Sequence, residues 1–344
     1  MEKSAQEVVL TVSSSPHVRC NESISKIMWT VVATLVPAAA FGVYYFGFNA
    51  LLNIIVSIVS AVFFEWAWEK FMHKKITIND GSAVITGLLL AMCCSPILPW
   101  WMCIVGSFIA IVVCKQAMGG LGYNLFNPAH VGRAGLMVSW PVAMTTWTQV
   151  NGSVIDGVAG ATPLNVLKQS GYDALLQLFN NDPMTMYQNM FLGFRNGSMG
   201  ETSTVLLILG GLFLMYKGYV KWQATVAMIA TVGILMWVFG GAVGAHATGG
   251  LFTGDPIFHM MAGGLIIGAF FMSTDMVTAP ITLKGQLIFA VGAGVLTVLI
   301  RLLGGYPEGV CYSILLMNAV TPLIDLTVKP RIFGSVKVKA KEAE

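Results

Sequence analysis

Residues 50–71 read ALLNIIVSIVSAVFFEWAWEKF, and fifteen residues pass before the first ionisable side chain, Glu65. As α-helix this run rises about 33 Å, enough for a hydrocarbon core about 30 Å thick. Comparable runs recur from residue 27 to residue 326 of the 344-residue chain, which is 56% hydrophobic and only 10% charged. Soluble domains carry about 25% charged residues. The sequence therefore predicts an all-α polytopic membrane protein of about ten transmembrane helices.

The predicted spans are 25–46, 50–71, 81–98, 100–118, 125–140, 202–217, 221–242, 257–275, 285–303 and 308–327. With the N-terminus inside, short cytoplasmic segments should collect Lys and Arg. Fifteen of the nineteen basic residues fall on that side: Lys3, Arg19, Lys26, Lys70, Lys74, Lys75, Lys115, Lys217, Lys221, Lys284, Lys329, Arg331, Lys337, Lys339 and Lys341. Lys168, Arg195 and Arg301 fall outside, and Arg133 lies within the fifth span. Trp100, Trp101, Trp140 and Trp147 gather at the outer boundary and Trp66, Trp68 and Trp222 at the inner one, as interfacial aromatics do. This divides the chain into a cytoplasmic segment (1–24), a first five-helix half (25–140), an extracytoplasmic loop (141–200), a second half (201–328) and a basic cytoplasmic tail (329–344). No cleaved signal peptide is visible in the polar residues 1–23.

An odd number of spans per half makes the second half inverted, the plan of many transporter folds. Internal similarity agrees: Asp80 precedes the Gly87-Leu-Leu-Leu run as Asp255 precedes Gly264-Leu-Ile-Ile, and Gly119-Gly120 and Gly304-Gly305 each precede Asn-bearing fifth elements, with Asn127-Pro128 and with Asn318 and Pro322. Net charge is +3, with basic residues flanking spans, which reads as membrane orientation and not nucleic-acid binding. The six cysteines show no C-x-x-C spacing and read as small apolar residues, with an iron-sulfur site shared with a partner chain as the alternative. The five histidines are dispersed, so the chain offers no metal-ligand pattern of its own.

Five polar stretches interrupt the apolar pattern. In Asp156-Gly-Val-Ala-Gly160-Ala161-Thr162-Pro, small residues surround one hydroxyl and leave it easy to reach, although a plain turn has the same composition. Gly119-Gly120-Leu-Gly122-Tyr-Asn124-Leu-Phe-Asn127-Pro lets backbone approach a flat ligand and offers two carboxamides, or is simply a re-entrant turn. Gly197-Ser-Met-Gly200-Glu201-Thr202-Ser203 opens a helix, so its amides and hydroxyls suit a phosphate or merely cap. Met272-Ser-Thr274-Asp275-Met-Val-Thr278-Ala-Pro280 and Tyr306-Pro-Glu308-Gly-Val complete the set. Ionisable groups at membrane depth are costly, which makes Asp275, Glu308, Asp325 and Arg133 candidates for ion coupling, beside Glu65 and Glu201. A snorkelling residue near a span end is the plainer reading of several. No catalytic triad, nucleotide loop or metal spacing occurs.

Taken together with Asp80-Gly-Ser-Ala-Val-Ile-Thr-Gly-Leu-Leu-Leu-Ala, these stretches resemble, over nearly the whole chain, the RnfD family, the D component of the Rnf electron-transport complex, itself similar to the B component of the sodium-translocating NADH:quinone oxidoreductase. The resemblance implies a membrane flavoprotein subunit of an ion-translocating ferredoxin:NAD+ oxidoreductase in a bacterial or archaeal cytoplasmic membrane. It implies FMN esterified through its phosphate to Thr162 by an extracytoplasmic flavin transferase, with Asp156, Gly160 and Ala161 in the attachment pattern. Ala159 departs from that pattern, which has Ser or Thr there. Gly200, Glu201, Thr202 and Ser203 would lie around the FMN, and noncovalent riboflavin near Gly120, Gly122, Asn124 and Asn127. The implied partners are the A, B, C, E and G components of the Rnf complex, and the implied coupling is to Na+ or H+. Read from the residues alone, a solute channel or carrier without redox function fits inverted halves with polar breaks equally well.

Overall fold

The computed structural model describes residues 22–147, 161–243 and 249–330, and among them the regular structure is helical throughout. Asp156, Ala159, Gly160 and the terminal basic residues Lys3, Arg19, Arg331, Lys337, Lys339 and Lys341 lie outside the described residues.

Helix α1 (Ile24–Phe46) starts where the Ser23 side chain accepts a hydrogen bond from Lys26 N–H, and it ends at Gly47, whose φ of 79° only glycine adopts readily. The chain turns there into α2 (Phe48–Phe71). On α2 the usual pattern is reversed. Ile55, Val59 and Phe63, spaced four apart, are about half exposed, whereas Asn53, Ser57 and Ser60 are buried. A lipid solvent accepts the apolar face and leaves the polar one to pack inward. Close packing follows, because a Cβ at Gly87 would come within 2.6 Å of the Ser57 carbonyl oxygen.

Helix α3 (Ser82–Met92) begins at Gly81 and covers only about 16 Å, half the membrane core. The chain then reverses through buried residues, and Asn53 Nδ2 donates to the Pro96 and Leu98 carbonyls at 3.1 and 2.9 Å. Irregular backbone at this depth needs such partners. Helix α4 (Trp100–Phe108) passes into a π-helical stretch, Ile109–Gln116. Helix α5 (Pro128–Ser139) is capped by Asn127 and followed by the single turn α6 (Pro141–Thr145). Two helices over one end of the bundle come next, α7 (Pro163–Gln177) and α8 (Pro183–Leu192).

The second half comprises α9 (Thr204–Tyr216), α10 (Trp222–Phe239), α11 (Pro256–Met261), α12 (Leu265–Ile267) running into a π-helical stretch at Gly268–Met272, α13 (Leu283–Leu303) and α14 (Val310–Thr327). It repeats the packing of the first. Helix α2 lies against α3 and α4, and α4 against α5, while α10 lies against α11 and α13, and α13 against α14. Helix α2 ends and α10 begins at the same face, where Thr77 donates to Glu69, Ser25 to Asn79 and Tyr219 to Glu22, so the two run in opposite directions, as inverted halves require.

Two ends of the bundle are distinct. Ser25 Oγ donates to Asn79 O, Tyr219 Oη to Glu22 and Ile281 N–H to Asp325, which joins the starts of α1 and α3, the α9–α10 junction and the end of α14 at one face. Lys26, Lys217, Lys221 and Lys284 flank helix ends there, as the charge pattern predicts. The opposite face carries α7 and α8, fastened by Lys168 to the Gly304 and Tyr306 carbonyls and by Tyr187 to Asp255.

All ten predicted spans contain helix, and α1, α2, α10, α13 and α14 are long and apolar enough to cross alone. The bounds of spans 81–98 and 257–275 are corrected, whereas 125–140 and 202–217 each hold one short helix. Helices α3, α5 and α9 have 11, 12 and 13 residues, and 257–275 breaks at Ala262-Gly263-Gly264 between α11 and α12. Apolar composition does not tell a crossing helix from a half-helix followed by buried loop.

Candidate functional site

Where the two halves meet toward the basic face, a cleft opens between α1, α3, the end of α9 and the segments 121–129 and 270–277. Mostly apolar walls with a few convergent polar groups are the lining that small-molecule sites have. Asn124, Asn127 and Asp275 line it. Gly119, Gly120 and Gly122 have φ of 128°, 105° and 96°, so the loop that carries Asn124 folds in a conformation closed to larger residues. Asn124 Nδ2 donates to Phe126 O at 3.1 Å, while its buried Oδ1 has no partner. Asn127 has a second task, since its Oδ1 accepts from Ala129 and His130 N–H at the head of α5.

Composition alone marks Lys115 as an inner flanking charge, but the structure makes it part of the cleft wall and 1% exposed. Its Nζ lies 2.6 Å from Glu65 Oε1 and 2.6 Å from Ser82 Oγ, and Gln116 Nε2 donates to the same carboxylate oxygen at 2.8 Å. Removing one member of a buried pair costs about 3–5 kcal/mol, because the other is left uncompensated. The signal in the sequence was Glu65, an acid inside an apolar run. Its partner is fifty residues away and only folding supplies it.

A second polar cluster lies toward the α7–α8 face. Arg133 Nε donates to the Cys93 carbonyl at 2.9 Å and Nη2 reaches Glu308 at 2.5 Å, so the break after α3 is tied to the head of α14. Arg195 donates to Glu201 O and Met261 O, and Arg301 to His259 O and Ala262 O, which satisfies the free carbonyls at the end of α11. Glu201 accepts from Ser198 Oγ at 2.7 Å. Thr202 bonds back to Met199 O and Ser203 caps α9, so both hydroxyls have structural partners. Gly200 wedges between the ends of α3 and α12, where a Cβ would meet Ile267 and Met92 O.

Thr162 is 2% exposed and caps α7, its Oγ1 accepting from Asn165 N–H at 3.2 Å. This corrects the expectation of an easily reached hydroxyl: Pro163 and Leu164 carry the loop straight into a packed helix. Ala161 precedes it at the edge of the described residues. Asp275 accepts from Val277 N–H and Thr278 Oγ1, and Asp325 accepts from Ile281 N–H. The structure thus gathers Asn124, Asn127 and Asp275 in one cleft and joins Arg133 to Glu308, while Asp325 stands apart as a loop clip.

Two halves, short helices that stop within the bundle and a polar-lined cleft between them define a polytopic membrane protein built on broken helices, the architecture in which transporters place their binding sites. The chain belongs to the NQR2, RnfD, RnfE family, whose sequence profile matches residues 11–334. It is 63% identical over 95% of its length, and 97% of the relative's, to the D component of the proton-translocating ferredoxin:NAD(+) oxidoreductase complex of Clostridium ljungdahlii. It is 43% identical to the D component of the Na(+)-translocating ferredoxin:NAD(+) oxidoreductase complex of Acetobacterium woodii, over 98% and 99% of the two chains. A third relative, the D component of the ion-translocating oxidoreductase complex of Stutzerimonas stutzeri, is 38% identical over 91% and 92%. The resemblance drawn from the motifs holds along the whole chain.

Proposed function

We propose that this chain is the D component, a membrane subunit, of an ion-translocating ferredoxin:NAD+ oxidoreductase, passing electrons between the two faces of the bilayer. The observation that carries the reading is end-to-end similarity to two relatives bearing that name, at 63% and 43% identity. Those relatives move different ions, one protons and the other Na+, and the coupling is to Na+ or H+. The A, B, C, E and G components of the Rnf complex are the partners this assigns, with the α7–α8 face extracytoplasmic and both termini cytoplasmic.

In the same reading FMN is held through a phosphoester on Thr162, installed by an extracytoplasmic transferase, and riboflavin sits in the cleft beside Asn124. The residues suit both groups. Oγ1 of Thr162 sits at the N-terminus of α7, where free amides and the helix dipole favour a phosphate. The unpartnered Oδ1 of Asn124 suits a ring imide N–H, and the glycine loop admits a flat ring close to backbone. Flavins, when bound, connect one- and two-electron steps. The protein's own work is placement: Asn124 orients, the apolar walls of α1 and α3 exclude water, and Glu65 offsets the charge of Lys115 in the cleft wall. Because Thr162 is packed, its esterification precedes the docking of α7.

Denaturing electrophoresis under ultraviolet light tests the covalent assignment. A fluorescent band from a host with the transferase, absent in Thr162→Ala, is the expected result. A dark wild-type band removes the flavin and favours a carrier without redox function.

A further inference from the structure

We propose that a pocket between α7, α10 and α13, apart from the cleft above, is an anion site that takes a phosphate group. It has a cavity volume of about 70 Å³ and is lined by Leu164, Lys168, Met236, His259, Arg301 and Leu302 among others, with no acidic side chain among the described residues of its wall. Arg301 is buried in this wall and Lys168 half-buried beside it, and a buried cation calls for counter-charge, since charge interactions are strong where water is excluded.

Among the described residues Glu201 and Glu308 act on Arg301 only through space and neither bonds it, and these two acids face four cations, Arg133, Arg195, Arg301 and Lys168. Lys168 donates to the Gly304 and Tyr306 carbonyls and Arg301 to the His259 and Ala262 carbonyls, all of them neutral. Among the described residues neither cation forms a salt bridge, and Glu308 is engaged by Arg133. Donor capacity also remains. Arg301, 5% exposed, keeps Nε without a partner, and His259, 7% exposed, keeps Nδ1 without one. Gly263, at φ of 67°, leaves room for the guanidinium, because a Cβ there would lie 2.8 Å from Arg301 Nη2. A carboxylate brings one negative charge and a phosphate up to two, and guanidinium and ammonium groups are the usual phosphate donors.

The phosphate has two sources. One is the ester on Thr162, at the head of the same helix as Lys168, and this source rests on the flavin assignment above. The other is a phospholipid headgroup, which does not.

The test uses the full chain with Thr162→Val, so that no ester forms, stripped of lipid in detergent. Inorganic phosphate is titrated calorimetrically at constant ionic strength in chloride. Saturable binding is expected, weakened about tenfold or more by Lys168→Gln, the loss of one charge-assisted contact, and restored by Lys168→Arg. Lys168 is the variant of choice because Arg301 also clamps two buried carbonyls. Binding in Thr162→Val but not in the flavin-bearing chain assigns the site to the tethered ester. Loss of one phospholipid phosphorus per chain on Lys168→Gln, before stripping, assigns it to a headgroup. Absence of saturable binding, or binding indifferent to Lys168→Gln, overturns the proposal. A wild-type chain made with the transferase present that carries no covalent flavin, yet binds phosphate through Lys168, sinks the flavin reading and leaves this one standing.

Discussion

Arg133 on α5 and Glu308 at the head of α14 meet at 2.5 Å, both side chains about nine-tenths buried, and so join the fifth elements of the two inverted halves. Arg133 also holds the Cys93 carbonyl, where α3 ends at mid-depth. One guanidinium therefore secures both a half-helix terminus and the seam between halves.

Breaking this pair from either side should cost about 3–5 kcal/mol, since the survivor stays buried and unpaired. Arg133→Leu and Glu308→Leu are expected each to lower stability by that amount in detergent unfolding, and the double variant to lose less than the sum. Additive losses would show that the two side chains act independently.

The two carboxamides of the cleft should separate by role. Asn127→Ala removes a helix cap and should cost about 0.5–2 kcal/mol of stability. Asn124→Ala leaves every helix intact and should instead lower extractable riboflavin, with the covalent flavin unchanged. Unaltered riboflavin content in Asn124→Ala would place that ligand elsewhere.

Gly193 ends α8 at φ of 105°, and a Cβ there would collide with the Thr202 carbonyl oxygen. Gly193→Ala should destabilise by about 1–3 kcal/mol through strain and displacement of the 198–203 turn. A thermal midpoint equal to that of the parent chain would refute the close approach.

Sidedness can be read by labelling. Ser170→Cys on α7 and Lys221→Cys before α10 are both exposed, whereas the five described native cysteines are buried. A membrane-impermeant maleimide on intact cells should label Ser170→Cys and spare Lys221→Cys. The reverse would put the Thr162 helix in the cytoplasm and end the extracytoplasmic assignment.

Apolar run length, the basic flanks and the repeated order of motifs were enough to establish a ten-element helical membrane protein and its family, because lipid acts as a uniform solvent and imposes its demands on local composition. Which runs cross and which stop at mid-depth was decided by tertiary structure: α3 is as apolar as α2, and it ends at Met92 only because Asn53 and Arg133 satisfy the backbone beyond it. The same holds for the polar sites. Glu65 and Thr162 stand out in the sequence, yet the Lys115 that neutralises the one and the helix packing that buries the other come from distant segments. Partners in a membrane interior are chosen by proximity after folding, and proximity is not written at any fixed spacing along the chain.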